Sequence, residues 1–286
     1  MLPSLLLLLA LERIEAVEPA MGTLFRIVVH AESAAQARTG FNAAFARARE
    51  LDKRLSDYRE ESELNRLCRS GRAQVSQDLF QVLRIAVDIA RTSDGAFDPT
   101  LGPLTRLWRE SRRSGRLPSA ETLDEARRRT GWRKVRLDPR TRTVTLAVPG
   151  MQLDLGGIAK GFAADEMLLV LRRLGLSHAL VAASGDLALG GEGWTVQVGD
   201  GTRTLADCGV STSGPAEQFA LIDGVRYAHI LDPRTGIGLL NAPTVGVIAP
   251  TATLADAIAT AAVVMDEARA SRLARRWKAV CLRTPR

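Results

Sequence analysis

The pattern of apolar and polar residues predicts an alternation of helices and strands after residue 20. Residues 20–31 alternate between apolar and polar side chains, which is the period of a half-buried strand. Over residues 33–56, alanine, phenylalanine and leucine recur every three or four positions, which predicts an amphipathic helix. After a polar connector with a short helical piece, residues 77–91 show the same spacing and predict another helix.

The rest of the chain is richer in strands. Residues 135–150 predict two strands with a turn at Asp138-Pro139, and residues 161–175 predict a helix that Gly175 ends. Turn-rich and charged helical segments come before them, at 92–108 and 109–130. Strands separated by glycine turns are predicted in 178–191, 194–200, 209–214, 218–233 and 244–250, followed by helices at 253–265 and 268–277. The pattern predicts an α+β fold: a single compact, two-lobed domain with a mixed or antiparallel sheet and flanking helices.

Composition agrees with a globular protein and limits its partners. The chain has 286 residues, of which 46% are hydrophobic and 25% charged, enough to bury a sizeable core. The net charge of +7 indicates either an arginine-rich surface or an anionic ligand. Aromatic residues make up only 5%, and the basic residues are dispersed, so we expect no nucleic-acid partner.

The cysteines and histidines restrict the kind of metal site. The three cysteines and three histidines are far apart, without the spacing of a disulfide framework or a zinc site. Any metal would therefore be held by oxygen ligands, which favours magnesium or calcium.

Residues 1–19 form an apolar N-terminal arm before the predicted domain at 20–286. Their apolar run, residues 5–11, is too short to span a bilayer. It is similar to the core of a secretory signal but lacks a basic flank and a good cleavage pattern. Two interpretations stay open: a degraded or mis-started signal, and a short amphipathic arm that would allow peripheral membrane association. No cysteine follows the run, so we expect no lipid anchor.

The segment LDLGGIAKG at 153–161 is a candidate phosphate site. A strand that enters a glycine pair and then a helix leaves backbone N–H groups free to bind an anion, and Lys160 adds a positive charge. Asp154, an acid at the end of an apolar strand, needs a polar partner such as a ligand. The alternative is a plain strand-to-helix corner.

A second candidate lies in DAIAT at 256–260. Asp256 and Thr260 are four residues apart, so their oxygens would lie on one face of a helix and could bind Mg²⁺. Alternatively, Asp256 only complements the helix dipole and Thr260 bonds to a carbonyl of the preceding turn.

Two loops offer further groups. Phe97, in the turn-rich segment 93–100, would cover a planar ring or anchor the core. His229 would be a catalytic base or a hydrogen-bonded strand residue. The glycine turns near 184–191 and 211–214 would line a nucleotide cleft or simply make tight hairpins.

Taken together, these segments resemble the ApbE family of FAD:protein FMN transferases, over nearly all of the chain after residue 20. The resemblance rests on eight motifs in a fixed order: MGT (21–23), DYREESELNRL (57–67), DGAFDPTLGPL (94–104), LDLGGIAKGFAAD (153–165), SGD (184–186), STSG (211–214), HILDPRTG (229–236) and ADAIATA (255–261). It implies an ApbE-like architecture related to the T-fold.

The resemblance also implies an activity. Members of the family cleave FAD at its pyrophosphate and pass the FMN half to a Thr or Ser hydroxyl of a target flavoprotein, with AMP leaving; some hydrolyse FAD to FMN and AMP instead. Mg²⁺ and FAD would then be required, and a flavoprotein would be the partner. A non-catalytic FAD-binding protein is the alternative from another class.

By motif match, the resemblance also assigns roles to individual residues. His229 would be the catalytic base. The magnesium ligands would be Asp256, Thr260 and the carbonyls of Gly157 and Ala259. The FAD contacts would be Met21, Tyr58, Ala96, Phe97, Asp98, Asp154, Lys160 and Ile230.

The sequence departs from the family pattern in two places. Ser184 replaces the first glycine of the usual glycine-glycine-aspartate turn, and we expect little effect on the chemistry. The N-terminus lacks a convincing signal, although many relatives are exported. The resemblance implies the periplasmic side of a bacterial inner membrane, and a cytoplasmic location follows if the apolar run is not a signal.

Overall fold

The computed structural model describes residues 11–214 and 219–284. Its helices are Ala34–Leu55 (α1), Glu63–Ser70 (α2), Gln77–Thr92 (α3), Gly102–Ser114 (α4), Ala120–Arg128 (α5), Ala159–Arg173 (α6), Ala252–Val264 (α7) and Glu267–Arg276 (α8). Its strands are Glu12–Ala20 (β1), Thr23–Ala31 (β2), Arg72–Gln74 (β3), Val135–Asp138 (β4), Thr143–Leu146 (β5), Ala179–Ala183 (β6), Asp186–Gly190 (β7), Trp194–Val198 (β8), Gly201–Leu205 (β9), Gly209–Ser213 (β10), Phe219–Ile222 (β11), Val225–Leu231 (β12), Gly238–Leu240 (β13), Thr244–Ala249 (β14) and Val280–Thr284 (β15).

A seven-stranded sheet in the order β1-β2-β6-β7-β10-β14-β15 forms the centre of the fold. Every neighbouring pair in it is antiparallel. Helices α6 and α7 pack against the sheet and against each other, and α1 packs on α6. The apolar residues shared by the sheet and these helices form the largest core of the molecule. The α+β prediction with an antiparallel sheet is confirmed.

Helix α7 is unusual because it is apolar and buried on nearly all sides. It is rich in alanine, so its backbone can approach both the sheet and α6 closely. Asp256 is the one acidic residue of this helix, and the residue as a whole is only 3% exposed. A carboxylate buried in an apolar helix must be compensated by nearby charges or donors.

A second lobe surrounds Trp108. Helices α4 and α5 pack against the sheet of β11, β12 and β13 around a separate apolar cluster, which includes Trp108, Leu104 and Ile222. The hairpin of β8 and β9 covers the central sheet with a third, smaller cluster that includes Trp194 and Val210. The two-lobed arrangement follows from the first two of these cores.

The N-terminal strand β1 differs from the sequence interpretation. Residues 12–19, which we assigned to the arm, pair with β2 along its whole length. The strand is an edge strand and carries exposed glutamates and an exposed Pro19, which is why it does not read as part of a sheet. The rest of the apolar run before Leu11 lies outside the described residues. Among the described residues, no helix is long and apolar enough to cross a bilayer.

The C-terminal strand β15 also went unpredicted. It pairs with β14 at the opposite edge of the sheet, and four of its five residues are only half-buried.

The segment 178–191 is a hairpin of two strands, β6 and β7, joined at Ser184 and Gly185. The glycine between helix and strand at 175 ends α6 as predicted, with a φ of 79°.

Candidate active site

Lys160 lies in the first turn of α6, directly after the glycine corner. Its ammonium Nζ is 2.7 Å from Oδ2 of Asp186 at the start of β7 and 3.6 Å from Oδ2 of Asp256 on α7. The structure therefore brings together Lys160 and Asp256, which are 96 positions apart in sequence, as the phosphate-and-metal interpretation requires. We refer to Lys160, Asp186, Asp256 and Ser211 as the Lys160 cluster.

Asp186 is the member of this cluster that the sequence did not reveal. It stands opposite Ser211 in the pairing of β7 with β10, and the Ser211 hydroxyl donates a 2.6 Å hydrogen bond to Oδ1 of Asp186. Its other oxygen accepts from Lys160. Asp186 thus anchors the lysine to the sheet. The motifs that contain Asp186 and Ser211, SGD and STSG, suggested glycine turns and hydroxyls, not an ion pair.

Helices α6 and α7 are held together closely around the lysine. A Cβ at Gly161 would lie 2.3 Å from the carbonyl oxygen of Ala252 and 2.9 Å from Cβ of Asp256, so only glycine fits. The Gly161 N–H donates to Oδ2 of Asp256 at 3.2 Å. The Asp165 carboxylate accepts from the N–H groups of Ala252 and Thr253 at 2.9 and 2.8 Å and so fixes the start of α7. Gly161 and Asp165 of LDLGGIAKGFAAD therefore serve helix packing.

The backbone N–H groups at this corner are largely engaged within the protein. Gly156 donates to Oδ1 of Asp154, and Ile158 and Ala159 both donate to the carbonyl of Leu155. The expectation that the corner leaves these N–H groups free for an anion is therefore wrong for these three residues, and Lys160 is the cation that the corner offers.

The protonation equilibria of the Lys160 cluster reflect two buried acids near one lysine. The pKa of the Asp256 carboxyl is raised to about 7, first by burial and then by the charge of Asp186, although Lys160 acts in the opposite direction. Burial alone would lower the pKa of Lys160, but Asp256 and Asp186 together raise it above its usual value. The cluster thus holds excess negative charge when both acids ionise, and a bound cation would offset it.

The oxygen atoms at this corner fit a hard divalent cation. A Cβ at Gly157 would lie 2.8 Å from the Thr260 hydroxyl, so the glycine backbone lies directly against the residue one turn after Asp256. Ala259 is fully buried on the same helix. Among the described residues, no group of three or more His, Cys, Asp or Glu side chains could hold a metal. A magnesium site here would use one carboxylate with hydroxyl, carbonyl and substrate oxygens.

A second cluster of charges lies around Arg109 on α4. Its guanidinium Nη1 is 2.6 Å from Oδ2 of Asp57 and Nη2 is 3.8 Å from Oδ2 of Asp154, and its Cζ lies 4.1 Å from the centre of the Tyr58 ring. We call these four residues the Arg109 cluster. Asp154 lies three residues before Gly157, in a segment that leads directly into the Lys160 corner. The strand predicted there is wrong, because residues 151–155 belong to no strand of the structure. Two predicted FAD contacts, Tyr58 and Asp154, are therefore joined by an arginine that the motifs did not single out.

Most side chains of the loop at 93–100 stabilise the protein itself, through packing and internal hydrogen bonds. Phe97 is 4% exposed and belongs to the main core, so its ring is an anchor and does not cover a surface. Asp98 accepts from the N–H and hydroxyl of Thr100 at 2.8 and 2.6 Å and from the N–H of Trp132 at 3.0 Å. Burial nevertheless raises the pKa of Asp98 above its usual range. Ala96 is half-buried beside this core.

Met21 and the His229 strand provide the remaining predicted residues. Met21 occupies the two-residue turn between β1 and β2 with a φ of 50°, a left-handed conformation that is uncommon for a side chain other than glycine. His229 is half-buried on β12, and Ile230 is buried beside it. The pairing of β12 with β13 shifts register between Tyr227 and Leu231, the segment that contains both. Such irregularities often redirect a side chain near a site.

Comparison with known proteins agrees with the motif order. The sequence model of the ApbE family matches residues 21–282. The chain belongs to the ApbE family. It is 36% identical to a FAD:protein FMN transferase of Treponema pallidum, covering 92% of this chain and 82% of that protein. It is 31% identical to one of Escherichia coli, covering 79% of this chain and 70% of that protein.

Solved structures of ApbE proteins share the fold. The ApbE protein of Thermotoga maritima is 30% identical and superposes with a TM-score of 0.83, covering 95% of this chain and 94% of that one. The flavin transferase ApbE of Vibrio cholerae is 27% identical, with a TM-score of 0.83 over 96% and 93% of the two chains. The similarity therefore extends over nearly the whole fold.

Ser184, which differs from the glycine-glycine-aspartate turn expected from the resemblance, lies in the turn before Asp186. Ser184 has a φ of 58°, a conformation that glycine adopts without cost and that serine adopts at about 1 kcal/mol or more. A Cβ at the following Gly185 would lie 2.9 Å from the carbonyl oxygen of Thr212. The turn still delivers Asp186 to Lys160, so the strain of Ser184 is tolerated.

Proposed function

We propose that this protein is a Mg²⁺-dependent FAD:protein FMN transferase that attaches FMN to a Thr or Ser hydroxyl of a target flavoprotein and releases AMP. The observation that carries the proposal is the 3.6 Å separation of Lys160 Nζ and Asp256 Oδ2 at the glycine corner. A dinucleotide pyrophosphate needs a positive charge on one side and a metal ligand on the other.

The transfer exchanges the phosphoanhydride bond of FAD for a phosphoester bond to the acceptor. The acceptor oxygen attacks the phosphorus of the FMN half, and the bond from that phosphorus to the oxygen of the AMP half breaks. Lys160 binds and orients the phosphates; Asp186 holds its ammonium in place, and the Ser211 hydroxyl in turn holds Asp186. When bound, Mg²⁺ would supply charge to the phosphate oxygens, held by Asp256, Thr260 and the carbonyls of Gly157 and Ala259.

His229 is the proposed base for the acceptor hydroxyl. A histidine is suited to take a proton near neutral pH because its reference pKa is about 6.5. Replacing His229 with alanine should abolish transfer while leaving FAD binding close to that of the wild type. Full transfer by this variant would refute the role.

The remaining predicted contacts are proposed to hold the two halves of FAD. Tyr58 and Asp154 bind a ring and a polar edge of the ligand, and Met21, Ile230 and the backbone of the loop from Ala96 to Asp98 complete the pocket. The buried Phe97 ring supports this loop from the core.

One assay separates this proposal from two alternatives. The protein is incubated with FAD, Mg²⁺ and an acceptor flavoprotein domain with its Thr site, and then denatured. Flavin fluorescence that stays with the acceptor after denaturation indicates transfer. Free FMN and AMP indicate a FAD pyrophosphatase, in which water replaces the hydroxyl. Intact FAD indicates a non-catalytic carrier, which the metal-ligand set of Asp256 and Thr260 argues against, since storage of a flavin needs no metal.

A further inference from the structure

Arg109 connects three side chains that no local motif joins. Its guanidinium lies within ion-pair distance of Asp57, 3.8 Å from the nearest oxygen of Asp154, and against the face of the Tyr58 ring. Asp57 and Tyr58 come from the loop after α1, Asp154 from the segment before α6, and Arg109 from α4 in the second lobe. A single side chain therefore joins three segments at the edge of the candidate site.

Tyr58 presents most of its surface to solvent. The residue is 77% exposed, although the arginine covers part of one face of the ring. An exposed tyrosine has no packing that would fix its ring, whereas a guanidinium stacked at 4.1 Å restricts the ring orientation. The opposite face is left to receive a second planar group.

The two acids are bound unequally by the arginine. Oδ2 of Asp57 is 2.6 Å from Nη1, a close ion pair, whereas Oδ2 of Asp154 lies 3.8 Å from Nη2, beyond hydrogen-bond length. Oδ1 of Asp154 accepts from the Gly156 N–H at 2.8 Å. The arginine therefore pairs with Asp57 and leaves Oδ2 of Asp154 as an acceptor for a ligand N–H beside the Tyr58 ring.

We propose that Arg109 is a positioning residue for FAD, which fixes the Tyr58 ring as a stacking surface and leaves Asp154 to accept from the edge of the stacked heteroaromatic ring. The proposal rests on FAD being the ligand, as in the proposed function. It concerns a ring and not the reacting phosphorus, so Arg109 should affect binding much more than chemistry.

Arg109→Met keeps the apolar stem and removes the planar charge. We expect FAD to bind roughly tenfold more weakly, with KM rising by a similar factor and kcat staying within about twofold. Arg109→Lys keeps the charge without the planar fork and should recover only part of this loss. A variant that merely lost folded protein would instead lower kcat at an unchanged KM.

A double-mutant cycle with Tyr58→Ala tests the connection directly. If Arg109 acts through the ring, Arg109→Met should change the FAD dissociation constant less than about twofold once Tyr58 is alanine. Equal effects of Arg109→Met in the two backgrounds would overturn the proposal. So would recovery of wild-type affinity in Arg109→Lys.

Two controls exclude a general loss of stability. Arg113→Met makes the same substitution one turn later on α4, at a side chain that is 79% exposed, and should leave FAD affinity unchanged. The pair Asp57→Asn with Arg109→Met restores the charge balance and should recover the unfolding temperature but not FAD affinity. If affinity returned with stability, Arg109 would be structural only, which contradicts the proposal.

A failure of the Arg109 proposal can be told apart from a failure of the proposed function. FAD affinity is measured by titration without acceptor, so a wild type that binds FAD but transfers no FMN refutes the transferase proposal while the cycle still tests Arg109. Wild-type protein without FAD binding would contradict both.

Discussion

The Lys160 cluster and the Arg109 cluster contain the same charges but differ in their exposure to solvent. Each places one cationic side chain between two aspartates. In the Lys160 cluster, the Asp186 and Asp256 side chains are only 4% and 5% exposed. In the Arg109 cluster, the Asp57 and Asp154 side chains are 17% and 14% exposed, and a tyrosine lies in the open beside them.

The cation in each cluster matches its surroundings. A lysine ammonium is a compact charge that suits phosphate oxygens next to a metal ligand, whereas arginine is planar and can stack on a ring while it binds a carboxylate. The buried cluster is built on two helices and two strands that cannot move apart without breaking the core. The other is built partly on loops. We expect substitutions in the first to remove chemistry and substitutions in the second to weaken binding.

The largest effect is expected from Asp256→Asn. Asparagine keeps the size of the side chain and an oxygen for the Gly161 N–H, but removes the charge that a metal requires. FMN transfer should fall at least about 100-fold, and Mg²⁺ should no longer raise the unfolding temperature. Both are measured on purified protein with and without Mg²⁺.

Asp266→Asn is the matched control for this prediction. Asp266 is the N-cap of the next helix, α8, where asparagine caps about as well as aspartate. Transfer by this variant should equal the wild type. If Asp256→Asn retained more than a tenth of the wild-type rate, the metal would have to be held elsewhere.

The second largest effect is expected from Gly161→Ala, which adds a methyl group where α6 and α7 approach closely. The added Cβ would meet the Ala252 carbonyl oxygen at 2.3 Å, and backbone on both sides cannot yield easily. We expect a loss of about 2 kcal/mol in the free energy of unfolding by urea, together with reduced transfer. Gly40→Ala on α1 is the comparison, because its Cβ would meet the end of the Leu176 side chain, which can rotate away. Equal losses at both glycines would contradict the argument.

The buried cluster could be predicted from sequence only in part. LDLGGIAKG and DAIAT indicated a phosphate corner and a metal-bearing helix, because a lysine after a glycine pair and oxygens at i and i+4 are local patterns. Asp186 could not be found in this way. Its role depends on strand pairing that places Ser211 opposite it, and on a helix from elsewhere in the chain.

The fold shows the same limit. Helices such as α1 and α3 follow from apolar spacing, while the edge strands β1 and β15 bury too little to show a pattern. Arg109 was hidden in a charged helical segment, and only the tertiary structure shows which of its arginines reaches an acid and a ring. The site residues assigned by resemblance remain predictions.

A smaller effect is expected from Asp186→Asn, which tests the anchor of Lys160. Asparagine can still accept one hydrogen bond, but its amide would face either the ammonium or the Ser211 hydroxyl. We expect about a tenfold loss of kcat/KM for FAD, since the lysine is no longer held by charge. Ser211→Ala should cost less, about twofold, because Asp186 keeps its charge and its contact with Lys160. A larger loss in Ser211→Ala than in Asp186→Asn would show that the hydroxyl, not the carboxylate, is decisive.

The smallest effect concerns pH and the Arg109 cluster. Burial and the charge of Asp154 raise the pKa of Asp57, although Arg109 lowers it. An acid whose pKa is higher in the folded state binds more protons there than in the unfolded chain. Its contribution to stability therefore falls as pH rises from the unfolded pKa, near 4, to the folded one. Asp57→Asn removes this pH-dependent contribution to stability. The variant should therefore become more stable relative to the wild type as pH rises from about 4 to the folded pKa of Asp57.

The measurement is urea unfolding at pH 3, 4, 5 and 6, and the sign is what decides it. Asp138→Asn is a control of opposite sign, because hydrogen bonds from Thr141 and Arg140 lower the pKa of Asp138. That variant should lose stability relative to the wild type as pH rises through the region below about 4, where the wild-type carboxylate ionises. If the Asp57→Asn difference stayed flat or fell from pH 4 to 6, Arg109 would compensate Asp57 completely. The two acids of the Arg109 cluster would then be better compensated by their cation than the two acids of the Lys160 cluster are by theirs.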